Sequence, residues 1–231
     1  MNASTPDSEA NKHAWDTLYR KTAGSVWGSE PIPFVREFLD ELSSEIDALV
    51  PILDAASGDG RHLPVLLETA GAVHSCDASA AAIEKQGQHH NGAVLKTRCD
   101  LAETPYEDGQ FQFISLIDTI ETLPDPEPAL REMHRILRPG GKLLCNIPGE
   151  EDEISSEEMN PLQPDSAPAG YLYQDTYFYR FYSESDALAL VERCGFGVVR
   201  NEIRHWRERA HPGFRDYDHD HTSRVLLLVR P

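Results

Sequence analysis

Two glycines and three acids, Gly58, Gly60, Asp54, Asp77 and Asp100, carry the chemistry that this sequence announces most clearly. The run Ile52-Leu53-Asp54-Ala55-Ala56-Ser57-Gly58-Asp59-Gly60-Arg61 reads as a short buried strand entering a glycine-containing turn, with a helix following through Leu63, Val65, Leu66 and Leu67. Such a strand–turn–helix aims bare backbone N–H groups and a helix N-terminus at a ligand, and glycine permits close approach. A glycine turn alone is weak, because many strand-to-helix turns need glycine for geometry. Its neighbours add to it. Asp77 ends the next apolar run, about twenty residues beyond the turn, where a carboxylate can accept two ribose hydroxyls. The third run, residues 93–100, also ends in an acid, Asp100.

On these motifs the chain resembles the class I S-adenosylmethionine (SAM)-dependent methyltransferases. Residues 54–60 are similar to the family's first motif, an acid, a small residue and spaced glycines; Asp77 stands in the place of the second, and Asp100-Leu101 in that of the third. Residues 111–118 match the strand-four motif, and residues 135–144 the helix–turn–strand before strand five. Ala56 stands where the family usually has its first glycine. The resemblance implies SAM as cofactor. It would set the backbone around Ala56, Gly58 and Gly60 against the methionine and ribose portions, Asp77 with Ala78 at the ribose, and Asp100 with Leu101 at the adenine. Ile117 would border the site, and Asp54 would fix the loop or the amino group of the methionine portion. A nicotinamide fingerprint fits less well: its third glycine falls on Leu63, and Asp100 has no role in it.

Charge and composition narrow the partners. The 231 residues carry 39 acids against 21 Lys and Arg, a net charge of −18 that disfavours a phosphate backbone as substrate. Arg200, Arg204, Arg207 and Arg209 read either as a local basic face or as balance for the acids around them. No apolar run approaches membrane-spanning length and residues 1–12 lack a signal-peptide core, so the expectation is a soluble, cytoplasmic, single-domain protein without a membrane partner. Its oligomeric state is left open. The four cysteines lack CxxC spacing, which suggests buried free thiols rather than zinc or a redox pair.

The elements that must position these residues follow from periodicity. Residues 8–21 read as a helix with Trp15, Leu18 and Tyr19 on one face, and residues 31–42 as a second bearing Phe34, Val35, Phe38 and Leu39. From residue 52 strands and helices alternate, with strands near 52–56, 72–77, 93–100, 111–118 and 142–147. The fold class is therefore α/β, with a parallel sheet covered by helices. Ligands bind beyond the carboxyl ends of such strands, where Asp77, Asp100 and Ile117 sit. The resemblance extends this to a Rossmann-like, doubly wound, mostly parallel seven-stranded sheet with a terminal antiparallel strand. Its expected divisions are a helical cap (1–50), a SAM-binding half (51–148), a lid or acceptor segment (149–182), and a C-terminal helix and strand pair (183–231). Residues 149–170, with seven acids and no Lys or Arg, read as a loop without regular structure, either a lid or a solvated insertion. Ser183 is a candidate N-cap for the helix that follows.

The acceptor side is less legible. The turn around Trp27 resembles the N-terminal segment of small-molecule methyltransferases that closes over the cofactor; alternatively, Trp27 is core. Asp118 and Glu121 could orient a polar acceptor or cap a loop, and His205 could serve as a base near neutral pH or simply be packed. Residues 211–221 crowd three acids with three histidines, but the calcium-loop pattern fails at His221 and Leu227. The expectation there is a solvated hairpin loop and no metal. Methyl transfer to a small-molecule acceptor is the leading function. The alternatives are tRNA modification, to which residues 179–182 show a loose likeness, and a non-catalytic SAM-binding module.

Overall fold

The computed structural model describes residues 5–86, 93–156, 159–162 and 169–231. Five strands, β1 (Ile52–Ala55), β2 (Val73–Asp77), β3 (Val94–Arg98), β4 (Phe111–Leu116) and β5 (Leu137–Pro148), run parallel. Three short strands, β6 (Met159–Pro161), β7 (Gly170–Tyr173) and β8 (Tyr177–Arg180), make a small antiparallel sheet of their own. The long hairpin of β9 (Gly197–Glu208) and β10 (His219–Val229) then closes the main sheet antiparallel to β5, giving the order β3-β2-β1-β4-β5-β10-β9. The reversal of order beside β1 is the switch point at which open α/β sheets bind ligands.

Pleating explains the two cores. Successive residues of β1 face opposite ways, so Ile52 packs with the helices α2 (Pro33–Leu42) and α3 (Leu63–Thr69), while Leu53 packs on the other face. There it meets α5 (Glu127–Ile136) and α6 (Glu184–Arg193) through Leu130, Met133 and Val191. Helix α4 (Ala80–Lys85) starts directly after β2, capped by the Ser79 hydroxyl, which accepts from the Ala82 amide. Burying a Phe or Leu side chain contributes roughly 1.5–3 kcal/mol, so Phe38, Leu39 and Leu66, all at most 1% exposed, anchor one layer by themselves.

A third cluster lies above the strand ends. Helix α1 (Ser8–Lys21), capped by Asp7 and carrying Leu18 and Tyr19 on its buried face, packs there with Tyr173, Tyr177 and Phe214. Its polar face is fixed to three strand ends: Asn11 donates to the Thr122 carbonyl, Lys12 pairs with Asp100, and Asp16 accepts from the Ser79 hydroxyl and the Ala81 amide. The N-terminal segment is thus a cover over the carboxyl edge of the sheet.

Three expectations change. Residues 149–170 are not wholly irregular: a short 3-10 helix (Glu153–Ser156) and β6 occur there, because the backbone of β6 finds a partner in β7 and Ile154 and Leu162 are buried. Residues 157–158 and 163–168 of this stretch lie outside the described residues. Strand β5 starts at Leu137, before the Pro139-Gly140-Gly141 turn, since Leu137 already pairs with Phe111 and a register shift absorbs the turn. Residues 211–221 are not a solvated loop: the hairpin strands run to Glu208 and from His219, and His211, Phe214, Arg215 and His219 are buried.

Gly58 couples the cap to the sheet. Its φ is +53°, and a Cβ there would lie 2.5 Å from the Tyr19 hydroxyl and 3.3 Å from the Trp27 ring. Gly58→Ala combines left-handed strain with a clash that α1 must move to relieve, costing roughly 1–3 kcal/mol. Thermal unfolding should shift down by about 2–4 °C per kcal/mol, and an unchanged midpoint would show that the cap does not bear on the turn.

Candidate cofactor and acceptor site

A cavity of about 650 Å³ lies between the cap and the carboxyl ends of the strands. At one end the walls are Ala56, Gly58, Asp77, Ala78, Asp100 and Leu101. The chain leaves β1 through Ala56 at φ +50° and leaves β4 through Asp118 at φ +47°. Left-handed backbone at a residue with a Cβ costs roughly 1–2 kcal/mol, and such strain gathers at functional sites. At Ala56, the conformation is one that a glycine would adopt freely.

Asp77 is set by backbone alone: one oxygen accepts from the Gly58 amide at 2.9 Å and the other from the Ser79 amide at 2.8 Å. A carboxylate offers about four lone-pair positions, so each oxygen keeps one to share with a ligand hydroxyl. Burial pushes the Asp77 carboxyl up to about 6 despite those two bonds. Asp100 differs. Burial raises it, but the Ala102 amide and the Lys12 ammonium at 2.6 Å outweigh that and hold it below its ordinary value.

A second group of residues lining the cavity is polar. Asp118 exchanges two bonds with Asn146, its amide donating to the side-chain oxygen at 2.8 Å and its carboxylate accepting from Nδ2 at 2.6 Å. Glu121 is 3% exposed, and one of its oxygens has no partner. Burial, then the charges of Asp118 and Asp152, push its carboxyl well above the ordinary value, which favours the neutral acid. Asp152 accepts from the Thr222 amide and meets His221 Nδ1 at 3.2 Å. Burial pulls the His221 imidazole down, but Asp152 and Asp118 reverse this and hold it above its ordinary value. Tyr179 completes the polar wall from β8.

Of the residues singled out in the sequence, Trp27, Ala56, Gly58, Asp77, Ala78, Asp100, Leu101, Ile117, Asp118 and Glu121 line this cavity. Asp54, Gly60 and His205 do not. Asp54 is buried beneath the turn, accepting from the Ser115 hydroxyl at 2.6 Å, and burial pushes it up to about 7. Gly60 faces Leu63, which would lie 2.7 Å from an added Cβ, so its freedom serves the strand-to-helix turn. His205 is exposed on β9 and bonds Thr222, because alternation along the strand sends it away from the cavity. Its neighbours at even spacing from Trp206 point inward instead. Sequence reading missed Asp152 and Glu208 and set His219 and His221 aside in a solvated loop, although the spacing His219-x-His221 is what a strand needs to put two imidazoles on one face.

Residues 53–145 match the family model described as a methyltransferase domain. That match covers the glycine turn, Asp77, Asp100 and the strands that carry them, and it is there that the chain is similar to SAM-dependent methyltransferases. Among its relatives, a demethylmenaquinone methyltransferase from Streptomyces griseus is 26% identical over 64% of this chain and 69% of its own length. A ubiquinone/menaquinone biosynthesis C-methyltransferase from Hahella chejuensis is 27% identical over 62% of this chain, which spans 61% of that relative's length. In structure, a SAM-dependent methyltransferase from Methanosarcina mazei superimposes with a TM-score of 0.62 at 16% identity, covering 87% of this chain and 98% of that one.

SAM, the cofactor of the methyltransferases to which this chain is similar, fits the glycine-turn part of the cavity by the chemistry of its walls: a glycine turn, a backbone-oriented carboxylate with lone pairs to spare, and a second carboxylate beyond it. Asp77→Asn should weaken S-adenosylhomocysteine binding by roughly ten- to a hundredfold, about 1.5–3 kcal/mol, since its amide would face the backbone N–H groups and lose an acceptor. The wild-type protein adds a pH signature. Only the ionised carboxylate accepts from two hydroxyls, so affinity should be full above pH 6 and fall by up to about tenfold per unit below it. Calorimetry at several pH values checks both. The same slope in the Asn variant would assign the titration elsewhere.

Proposed function

We propose that this protein transfers the methyl group of SAM to a small polar acceptor held among Asp118, Glu121, Asp152 and Tyr179. The observation that carries this reading is that one cavity is lined both by the glycine turn, Asp77 and Asp100 and by Asp118, Glu121, Asp152 and Tyr179. When bound, SAM supplies an electrophilic methyl group on a sulfonium. The protein's own part is positioning and exclusion of water, the two contributions that an in-line displacement needs most. Asn146 locks the Asp118 carboxylate as a fixed acceptor, and Glu121, favoured as the neutral acid, offers a hydrogen-bond donor opposite it. Asp152 and Ile154 wall the acceptor end, which supports a covering role for residues 149–182.

The named relatives act on quinone precursors, and a lipid-soluble ring calls for apolar walls. Carboxyl and imidazole groups line the cavity here beside apolar side chains such as Leu123, Ile154 and Phe214, so the reading favours an acceptor that carries a polar group at its reacting end. Nucleic acid is disfavoured by more than net charge. Arg200 pairs with Glu41, Arg204 with Glu37 and Glu202, and Arg207 with Asp220, which supports the balancing role for these arginines over a basic face.

Release of S-adenosylhomocysteine, followed across small hydroxyl, amine and thiol acceptors and bulk tRNA, tests the proposal. Turnover should appear with a small polar compound and not with tRNA, and Glu121→Gln and Asp118→Asn should each lower kcat/KM by roughly tenfold or more. Tight SAM binding with no turnover on any class would instead support the non-catalytic module.

A further inference from the structure

The distal end of the β9–β10 hairpin holds an arrangement that the methyl-transfer reading does not use. Glu208 pairs across the hairpin with His219, and Trp206 with His221. Side chains two apart on a strand share a face, so all four project to the same side, while Arg207 and Asp220 pair on the other. One ligand atom from each of Glu208, His219 and His221 lies within 4.8 Å of the others, and all three residues line the cavity.

The hydrogen bonds behind the imidazoles give this cluster its meaning. His219 Nδ1 lies 2.9 Å from the Tyr217 carbonyl, which can only accept, so Nδ1 carries the proton and neutral His219 presents Nε2 as a lone pair. That Nε2 is buried with no partner in a residue 1% exposed. His221 Nδ1 faces the Asp152 carboxylate, which orients its ring in the same sense. A backbone carbonyl and a carboxylate behind two imidazoles is the outer shell that metal-binding histidines use to fix tautomer and direction. Glu208 accepts from Arg61, from Trp206 Nε1 and from His211 Nε2 at 2.7 Å. An ion would take the place of the His211 contact, leaving Arg61 and Trp206 to hold the carboxylate.

We infer that Glu208, His219 and His221 form a binding site for one first-row divalent transition metal ion of the zinc class, open towards the acceptor chamber. Two nitrogen donors and one carboxylate suit zinc or cobalt, whereas magnesium and calcium prefer oxygen throughout. Three protein ligands leave a coordination position open, and all three of these residues line the cavity. An oxygen, nitrogen or sulfur atom of the acceptor fits that position by ligand exchange, with no change of oxidation state. This last step rests on the methyltransferase reading; the metal site does not.

Untagged protein stripped with chelator and titrated with cobalt(II), then competed with zinc(II), gives the test. Visible ligand-field absorption should saturate at one ion per chain. His219→Ala and His221→Ala should each weaken binding by roughly a hundredfold or more, and Asp152→Asn by about ten- to a hundredfold through the outer shell. His205→Ala, altering an exposed imidazole outside the cluster, should change nothing. Binding of S-adenosylhomocysteine by each variant reports that it is folded, and if one variant fails that check the others decide. Failure of the metal to saturate a single site, or equal affinity in wild type and folded histidine variants, overturns the inference. Either result leaves the methyl-transfer reading to its own assay.

Discussion

The bond from the Gly58 amide to the Asp77 carboxylate holds the functional edge of this protein together. Parallel neighbours β1 and β2 end together, and the Ser57 amide still reaches the Cys76 carbonyl just beyond their last pair. Asp77 adds a further link, joining the turn after β1 and the start of α4 to one side chain. The left-handed backbone at Ala56 is tolerable because that link, with α1 above it, over-determines the turn. A ligand hydroxyl then meets a carboxylate whose direction is set before binding.

Enclosure has an electrostatic cost that runs through the whole cavity. The cap, the small sheet and the hairpin remove water from Asp77, Asp118 and Glu121, and each carboxyl is raised by burial. Their folded values lie above the unfolded ones, so ionising these groups weakens the fold as pH rises through the ordinary carboxylate range. Bound ligand that donates to them offsets part of this. The same dry surroundings strengthen each hydrogen bond made to an acceptor, which is the useful side of the cost.

Much of the α/β core was legible because its signals are local. Apolar runs ending in Asp77 and Asp100, the glycine turn, and the Ser183 cap all act within a few residues, and their positions place the strand ends directly. The small sheet was not legible. Residues 149–170 are acidic and proline-bearing, and their strand exists because β7 offers an edge, a partner that composition cannot reveal. The histidine cluster failed for a related reason. Read as a loop, Asp216, Asp218 and Asp220 suggest an oxygen site; read as a strand, His219 and His221 share a face and Asp220 turns outward.

By itself the sequence determined the order of the elements, the carboxyl edge as the ligand side, and the acids and glycines that stand there, since backbone conformation and strand alternation are short-range properties. Only the tertiary structure decided which of those residues face one cavity. Gly60 and Asp54 lie behind its wall, Lys12 reaches Asp100 from α1, and Asp152 meets His221 across 69 positions of chain. Which side chains meet across such distances depends on how two layers and a cap close around the sheet, and no local pattern encodes that closure.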